Sequence, residues 1–291
     1  MTGTTVIRKI APPIVLDCIR SLRTKLSGTR RTLPVWEHVP EGWARQASDA
    51  SIRGWDVPAI RDWHRERFRT WSEAYAAPNP LGASEYASDP TQQHLHSHNV
   101  HVSMAYVLAL ASRGRSSLSI LDWGGGIGQH YLLARSVLPD VELSYHCKDL
   151  PLVCEAGREL LPQVVFSQDE SCFEHEYDFV LASSSLQYRE DWQVLLGRLA
   201  AVTSEYLFIA QMPFVARTAS FVAVQRPYAH GYETEYLGWV LNRDEFLAAV
   251  ASIDLELARE FFFDNAISVS GIAEPAIHRG FLLRRRFAAA A

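Results

Sequence analysis

The stretch Ser119-Ile-Leu-Asp-Trp-Gly-Gly-Gly-Ile-Gly128 has the composition of a loop that cups a ligand. Gly124, Gly126 and Gly128, with Gly125 completing the run, let the backbone turn sharply and come close to a bound group. The loop follows a short apolar run and opens a helical pattern, and the N–H groups at such a helix start favour a negatively charged group. Asp149 lies 21 residues beyond Gly128, at the end of the next strand-like run. A carboxylate there can accept hydrogen bonds from two ribose hydroxyls. Asp122 stands just ahead of the glycines, where it can orient the loop amides or reach a cofactor amine. Trp123 and Leu150 flank these two acids and complete the candidate cofactor shell.

A dinucleotide site is the competing chemistry. The pattern G-x-G-x-x-G would need glycine at 129 if it began at Gly124, and at 131 if it began at Gly126. Those positions hold Gln129 and Tyr131. The spacing is instead G-x-G-x-G after an acid, which favours S-adenosylmethionine, whose methionine carboxylate suits the helix start, over NAD. An NAD-dependent oxidoreductase and a non-catalytic binding module on the same fold remain the alternatives.

The elements that must position these residues change in texture near residue 115. Residues 1–115 read as an N-terminal helical cap, with helices expected over 11–26, 57–76 and 91–113. Residues 116–291 read as strand, turn and helix in repetition, which implies a parallel sheet covered on both faces. The expected strands are Ser119–Trp123, Val141–Lys148, Val164–Ser167, Asp178–Ser183 and Tyr206–Gln211. Two terminal runs, Leu255–Phe263 and Gly280–Phe287, have no helix between them and imply one antiparallel strand. The fold expected is α/β: a doubly wound, mostly parallel seven-stranded sheet. Residues 212–241 read as a long insert serving as a substrate lid, followed by a helix capped by Asn242.

Leu121-Asp-Trp-Gly-Gly-Gly-Ile-Gly-Gln-His-Tyr131 resembles the first motif of class I S-adenosylmethionine-dependent methyltransferases, and Ser183-Ser-Ser-Leu-Gln-Tyr188 resembles their fourth-strand motif. More narrowly, the chain resembles a family of bacterial methyltransferases associated with glycan or specialised-metabolite gene clusters. Pro12-Pro13, Trp36-Glu-His-Val-Pro-Glu-Gly-Trp43, Glu155-Ala-Gly-Arg158 and Ser220-Phe-Val-Ala-Val-Gln225 carry that likeness. The resemblance implies methyl transfer from S-adenosylmethionine to an oxygen, or less favourably a nitrogen, of a small molecule or sugar. It also implies that an acid after the third strand, Asp169 or its equal competitor Glu170, meets the adenine amino group. Trp123 departs from the small or aliphatic residue usual at its position and either crowds the loop or stacks on a ligand.

Ser183, Ser184 and Gln187 fall at the carboxyl edge of the fourth strand, where the cofactor's sulfur end belongs. Tyr188, Gln211, Gln225, Tyr232 and Tyr236 are the candidate acceptor contacts. His230, among the aromatics of the insert, is the first candidate general base, with His130 its rival, because an unperturbed imidazole titrates near neutral pH. A carboxylate acceptor would need no base. His94, His96, His98 and His101 look like a metal box, but residues 94 and 96 point to different helix faces and no acid completes the set, so no metal is expected. His98 or Asn99 is expected to line the cofactor pocket instead.

The chain has 291 residues, 48% of them hydrophobic and 21% charged, enough to bury a full core. Its net charge of −5 gives no global field to recruit nucleic acid. Residues 1–31 are basic, with Arg8, Lys9, Arg20, Arg23, Lys25, Arg30 and Arg31 against Asp17. That pattern reads as a solvated helix face first and as peripheral membrane contact second. No apolar stretch approaches the ~20 residues of a bilayer span. Cys18, Cys147, Cys154 and Cys172 form no CxxC and read as packing thiols of a cytoplasmic protein. Oligomeric state has no signal here.

Overall fold

The computed structural model describes residues 33–76, 95–228, 232 and 234–286. The chain forms two units by internal contact, Met1–Pro34 and Val35–Ala291, and the second holds every element named here. In chain order its elements are β1 (Trp36–His38), α1 (Pro58–Ala76), α2 (Leu95–Ala111), β2 (Ser117–Trp123), α3 (Gln129–Val137), β3 (Glu142–Lys148), α4 (Pro151–Leu160) and β4 (Val165–Ser167). There follow β5 (Tyr177–Ser183), α5 (Trp192–Ala201), β6 (Thr203–Val215), β7 (Phe221–Gln225), β8 (Tyr236–Asn242), α6 (Arg243–Ala251), β9 (Leu255–Ile267) and β10 (Ala276–Arg285).

Successive side chains of a strand point to opposite faces, and here both faces are apolar. Ile120, Phe179, Phe208 and Leu282 pack into one core with Val107 and Leu108 of α2, Leu133 of α3 and Val153 of α4. Their neighbours Leu121, Val180, Leu207 and Leu283 pack into a second core with Leu195, Leu196 and Leu199 of α5 and Phe246 of α6. A sheet buried on both sides reads as continuous apolar runs, as these strands do. Seven strands lie in the order β4-β3-β2-β5-β6-β10-β9. β2, β3, β4, β5 and β6 are mutually parallel, and β10 runs antiparallel to both β6 and β9. This is the doubly wound, mostly parallel sheet with one reversed strand that the sequence leads one to expect.

The chain builds outward from β2 to β4 and then returns to place β5 on the other side of β2. The strand order therefore reverses between β2 and β5, and their carboxyl ends flank the crevice where ligands of open α/β sheets bind.

Two expectations need correction. The long insert at 212–241 holds three stretches of strand, the end of β6, β7 and most of β8. β6 runs past the end of β5 to Val215, and its last residues pair with β8 through Phe214↔Leu241 and Val215↔Asn242. β8 then carries β7 and β1 as an antiparallel extension. The run Phe221-Val-Ala-Val224 is buried throughout, so it lacks the polar alternation that marks a half-exposed strand. The described part of the expected cap is likewise not all helix, because β1 pairs with β7, and it lies in the same compact unit as the sheet. Helices α1 and α2 fall where the periodicity places them. The expected helix at 11–26 and residues 91–94 lie outside the described residues.

Asn242 caps α6 as expected. Its side-chain oxygen accepts hydrogen bonds from the backbone N–H of Asp244 (2.9 Å) and Glu245 (3.2 Å), and its amide donates to the carbonyl of Thr218 (2.8 Å). Asn242→Ala should cost about 1–2 kcal/mol and lower the thermal midpoint in calorimetry. Gly197 sits inside α5, and a Cβ there would meet nothing within 4 Å. Gly197→Ala should therefore raise stability by roughly 0.5–1 kcal/mol in urea titration.

Candidate active site

Gly124, Gly126 and Gly128 adopt φ values of 70°, 60° and 86°, the left-handed region that side chains resist. The Gly124 N–H donates to the Lys148 carbonyl at 2.7 Å and ties the loop to the end of β3. A Cβ on Gly124 would collide with Ser185, and one on Gly125 with the Asp122 carboxylate. The absence of side chains here is thus a packing requirement as well as a conformational one.

Asp122 is wholly buried beneath the loop. Its Oδ2 accepts a hydrogen bond from the Tyr145 hydroxyl (2.8 Å) and lies 3.0 Å from His130 Nδ1, while Oδ1 has no partner. Burial first, and then the nearby Asp122 charge, push the Tyr145 hydroxyl well above its usual range, so it stays a donor. Asp122 accordingly orients His130 and supports the loop from below, and it does not line the cavity.

Asp149 closes the loop from the β3 side. Its Oδ2 accepts from the Gly126 N–H at 2.7 Å and its Oδ1 from the Leu150 N–H at 2.6 Å. A carboxylate offers about four acceptor positions, so each oxygen keeps one for a ligand hydroxyl. Desolvation raises its pKa from 3.8 to about 6, against the Leu150 and Gly126 amide bonds and the Lys148 charge, which act to lower it. A raised carboxyl pKa means that the folded chain holds this proton more tightly than the unfolded chain. Stability from this group therefore falls as pH rises from 3.8 to about 6.

These parts meet in a cavity of about 360 Å³, within the size range of small-molecule sites. Gly124, Gly126, Trp123, Asp149 and Leu150 line it from the loop and the end of β3. Ser183, Ser184, Ser185 and Gln211 line it from the ends of β5 and β6. Ser184 (φ 49°) and Gln211 (φ 56°) are two of the three described non-glycine residues held at positive φ. Such strain concentrates at functional sites, where the surrounding structure over-determines it. Gln211 donates to Ser183 Oγ (2.9 Å) and Gln187 to Ser184 Oγ (3.1 Å), which fixes both hydroxyls. Trp123 does not close the hollow. Its ring packs against Phe173 at 5.0 Å between centroids, and the Lys148 ammonium sits 4.6 Å from its centroid.

Of the other expected residues, His130, Tyr188 and Tyr232 also line the cavity. Gly125 and Gly128 shape the loop from behind. Gln187 is buried behind Ser184. Gln225 accepts from the Tyr188 hydroxyl at 3.1 Å, and the Tyr236 ring packs on Tyr188 and Trp55. Both therefore stand one layer back. Asp169 is exposed and does not line the cavity; it accepts from the N–H and hydroxyl of Ser171. His230 lies outside the described residues, as does His94. His101 is paired with the Tyr75 hydroxyl (3.0 Å), and His96 Nδ1 lies 3.0 Å from the Phe263 carbonyl. Neither His98 nor Asn99 lines the cavity. Among the described residues no cluster has the makings of a metal site.

The sequence reading missed Trp55, Ile60, Trp63 and His64, which wall the cavity from α1 and the turn before it, and also Gln129, Lys148 and Arg189. The helical spacing of Ile60 and Trp63 was a signal, but it reads equally as a core stripe.

No protein-family model matches the chain, and no curated protein matches it. Solved structures do match. Magnesium protoporphyrin IX methyltransferase of Synechocystis PCC 6803, with bound S-adenosylmethionine, is 13% identical, with 78% of this chain and 95% of that one covered and a TM-score of 0.45. The N-terminal domain of EvdMO1, with bound S-adenosylhomocysteine, is 16% identical, with 82% and 100% covered and a TM-score of 0.46. CalS10, an amino pentose methyltransferase of Micromonospora echinaspora, is 14% identical, with 67% and 92% covered and a TM-score of 0.41. At such identities and TM-scores none of the three assigns an activity to this chain.

The packing around Gly125 gives a test. Gly125→Ala should lower stability by about 1–3 kcal/mol, because the added methyl meets the Asp122 carboxylate and the Cys147 sulfur with no room to move. Urea titration against Gly114→Ala, where no atom lies within 4 Å, separates collision from backbone strain.

Proposed function

We propose that the chain is an S-adenosylmethionine-dependent methyltransferase acting on an oxygen of a small-molecule acceptor. One observation carries this reading: Gly124 and Gly126, the Asp149–Leu150 pair and Ser183–Ser184 converge on a single cavity at the strand-order reversal. The glycine cradle suits the cofactor, because a Cβ at 124 or 126 would press on Ser185 or Gln129, which themselves line the cavity. The two unused acceptor positions of Asp149 suit a ribose diol. Gln129 Oε1, buried without a partner beside Gly126, is a further group that a ligand amine would satisfy.

The cofactor, when bound, supplies a methyl group already activated on a cationic sulfur. The protein's part is then alignment and exclusion of water. Ser183, held by Gln211, and Ser184, held by Gln187, fix the polar edge of the cavity. His130 is the base this geometry supports for an acceptor that must lose a proton. It lines the cavity with Nδ1 committed to Asp122, the arrangement by which a buried carboxylate orients an imidazole for proton transfer. No described helix is long and apolar enough to cross a membrane.

Calorimetry with S-adenosylhomocysteine tests the reading. Saturable one-to-one binding, lost by at least tenfold in Asp149→Ala, is expected. Binding of NAD in its place would overturn it. Because a protonated Asp149 has one acceptor fewer for the ribose, affinity should hold above pH 7 and fall as pH drops through about 6. Asp149→Asn should bind weakly and show no such pH dependence.

A further inference from the structure

We infer that Trp55, Trp63, Tyr188 and Tyr232 form an acceptor subsite for a flat aromatic molecule bearing a hydroxyl, a proposal that rests on the methyltransferase reading above. Each of the four lines the cavity, and they come from separate stretches of chain: the turn before α1, α1 itself, the turn after β5 and the segment before β8. Their rings form one continuous surface. The Trp55 centroid is 4.9 Å from that of Tyr188 and 6.4 Å from that of Tyr232, and Trp63 is 5.5 Å from Tyr232. Tyr236 stacks behind Trp55 at 4.0 Å and holds it in place. All three contacts along the surface are edge-to-face, with interplanar angles of 61°, 68° and 81°. Aromatic pairs favour offset or edge-to-face geometry, so a flat ring laid among these four finds both ring faces and ring edges to pack on.

The polar groups of this wall are few. Tyr188 commits its hydroxyl to Gln225, which leaves the ring for contact. Trp55 Nε1 and His64 Nδ1 are buried with no hydrogen-bond partner, although both residues line the cavity. Orphaned polar atoms of this kind are rare in folded proteins and call for a partner. The indole N–H can only donate, so it suits a ring carbonyl or ether oxygen. Burial pushes the His64 pKa down to about 4, with Arg67 adding to the shift, so the imidazole stays neutral and can accept from a ligand hydroxyl. A sugar presents several hydroxyls, each of which needs a partner once buried. The serine edge belongs to the cofactor in the reading above, so on the aromatic wall itself the two orphans match a ring with one or two oxygens better than a sugar.

The test uses the full chain saturated with S-adenosylhomocysteine, with 7-hydroxycoumarin and methyl β-D-glucopyranoside as probes in calorimetry. The coumarin should bind saturably and the glucoside should not. Trp55→Leu should weaken coumarin binding at least tenfold, with S-adenosylhomocysteine affinity and thermal midpoint measured alongside to certify a folded protein. If that variant does not fold, Trp55→Phe replaces it and should show a partial loss. Glucoside binding without coumarin binding, or coumarin affinity indifferent to the Trp55 substitutions, overturns the proposal. Failure of S-adenosylhomocysteine itself to bind overturns the cofactor reading instead. Coumarin titrated into the free chain then still decides whether the wall takes flat rings.

Discussion

The site is organised around a carboxylate that never reaches the cavity. Asp122 lies wholly buried, joined to the Tyr145 hydroxyl and to His130 Nδ1, with the bare Gly125 backbone pressed against it. A buried carboxylate is costly unless hydrogen-bonded, and these partners come from three elements at once: Asp122 from β2, Tyr145 from β3 and His130 from the first turn of α3. The interaction that offsets the burial of Asp122 therefore also fixes how the loop crosses from strand to helix. Asp149 repeats the device one strand along, spending one lone pair on Gly126 and another on Leu150. The glycine loop is held between two acids, one below it and one beside it.

The sheet accounts for why this loop sits in a crevice. Both faces are apolar, so each face must be covered, and the chain does so by winding first to β4 and then back to β5. The carboxyl ends of β2 and β5 are left side by side without a connection across them. β6 continues beyond β5 because β8 takes over as its neighbour, and the strained Gln211 sits at that exchange. One backbone feature thus lengthens the sheet and turns Gln211 toward Ser183.

The parts legible in the sequence are those where one stretch of residues carries the whole signal. The alternation of short apolar runs with helical segments leads to the seven-strand sheet, and Asn242 followed by acids marks the start of α6. The glycine run, Asp149 at its distance from Gly128, and the serines at 183 and 184 all line or shape the cavity. What stayed hidden depends on contacts between distant segments. Asp169 has the position in the chain that the resemblance implies, and in the structure its carboxylate is engaged by Ser171 outside the cavity lining. β7 and β8 of the extension are apolar on both faces, so these strands look like any buried run. Trp55 and Trp63 carry no such signal, because nothing local distinguishes a ring that faces a side chain from one that faces a cavity.

The glycine loop, the two acids that hold it and the serine edge all lie between residues 122 and 211. Trp55 and Trp63 lie before that interval and Tyr232 after it, and of the aromatic wall only Tyr188 falls inside. The two halves of the pocket are thus written in largely non-overlapping tracts of the chain. Substitution in the flanking tracts can therefore reshape the aromatic wall while the glycine loop and the two acids that hold it stay unchanged.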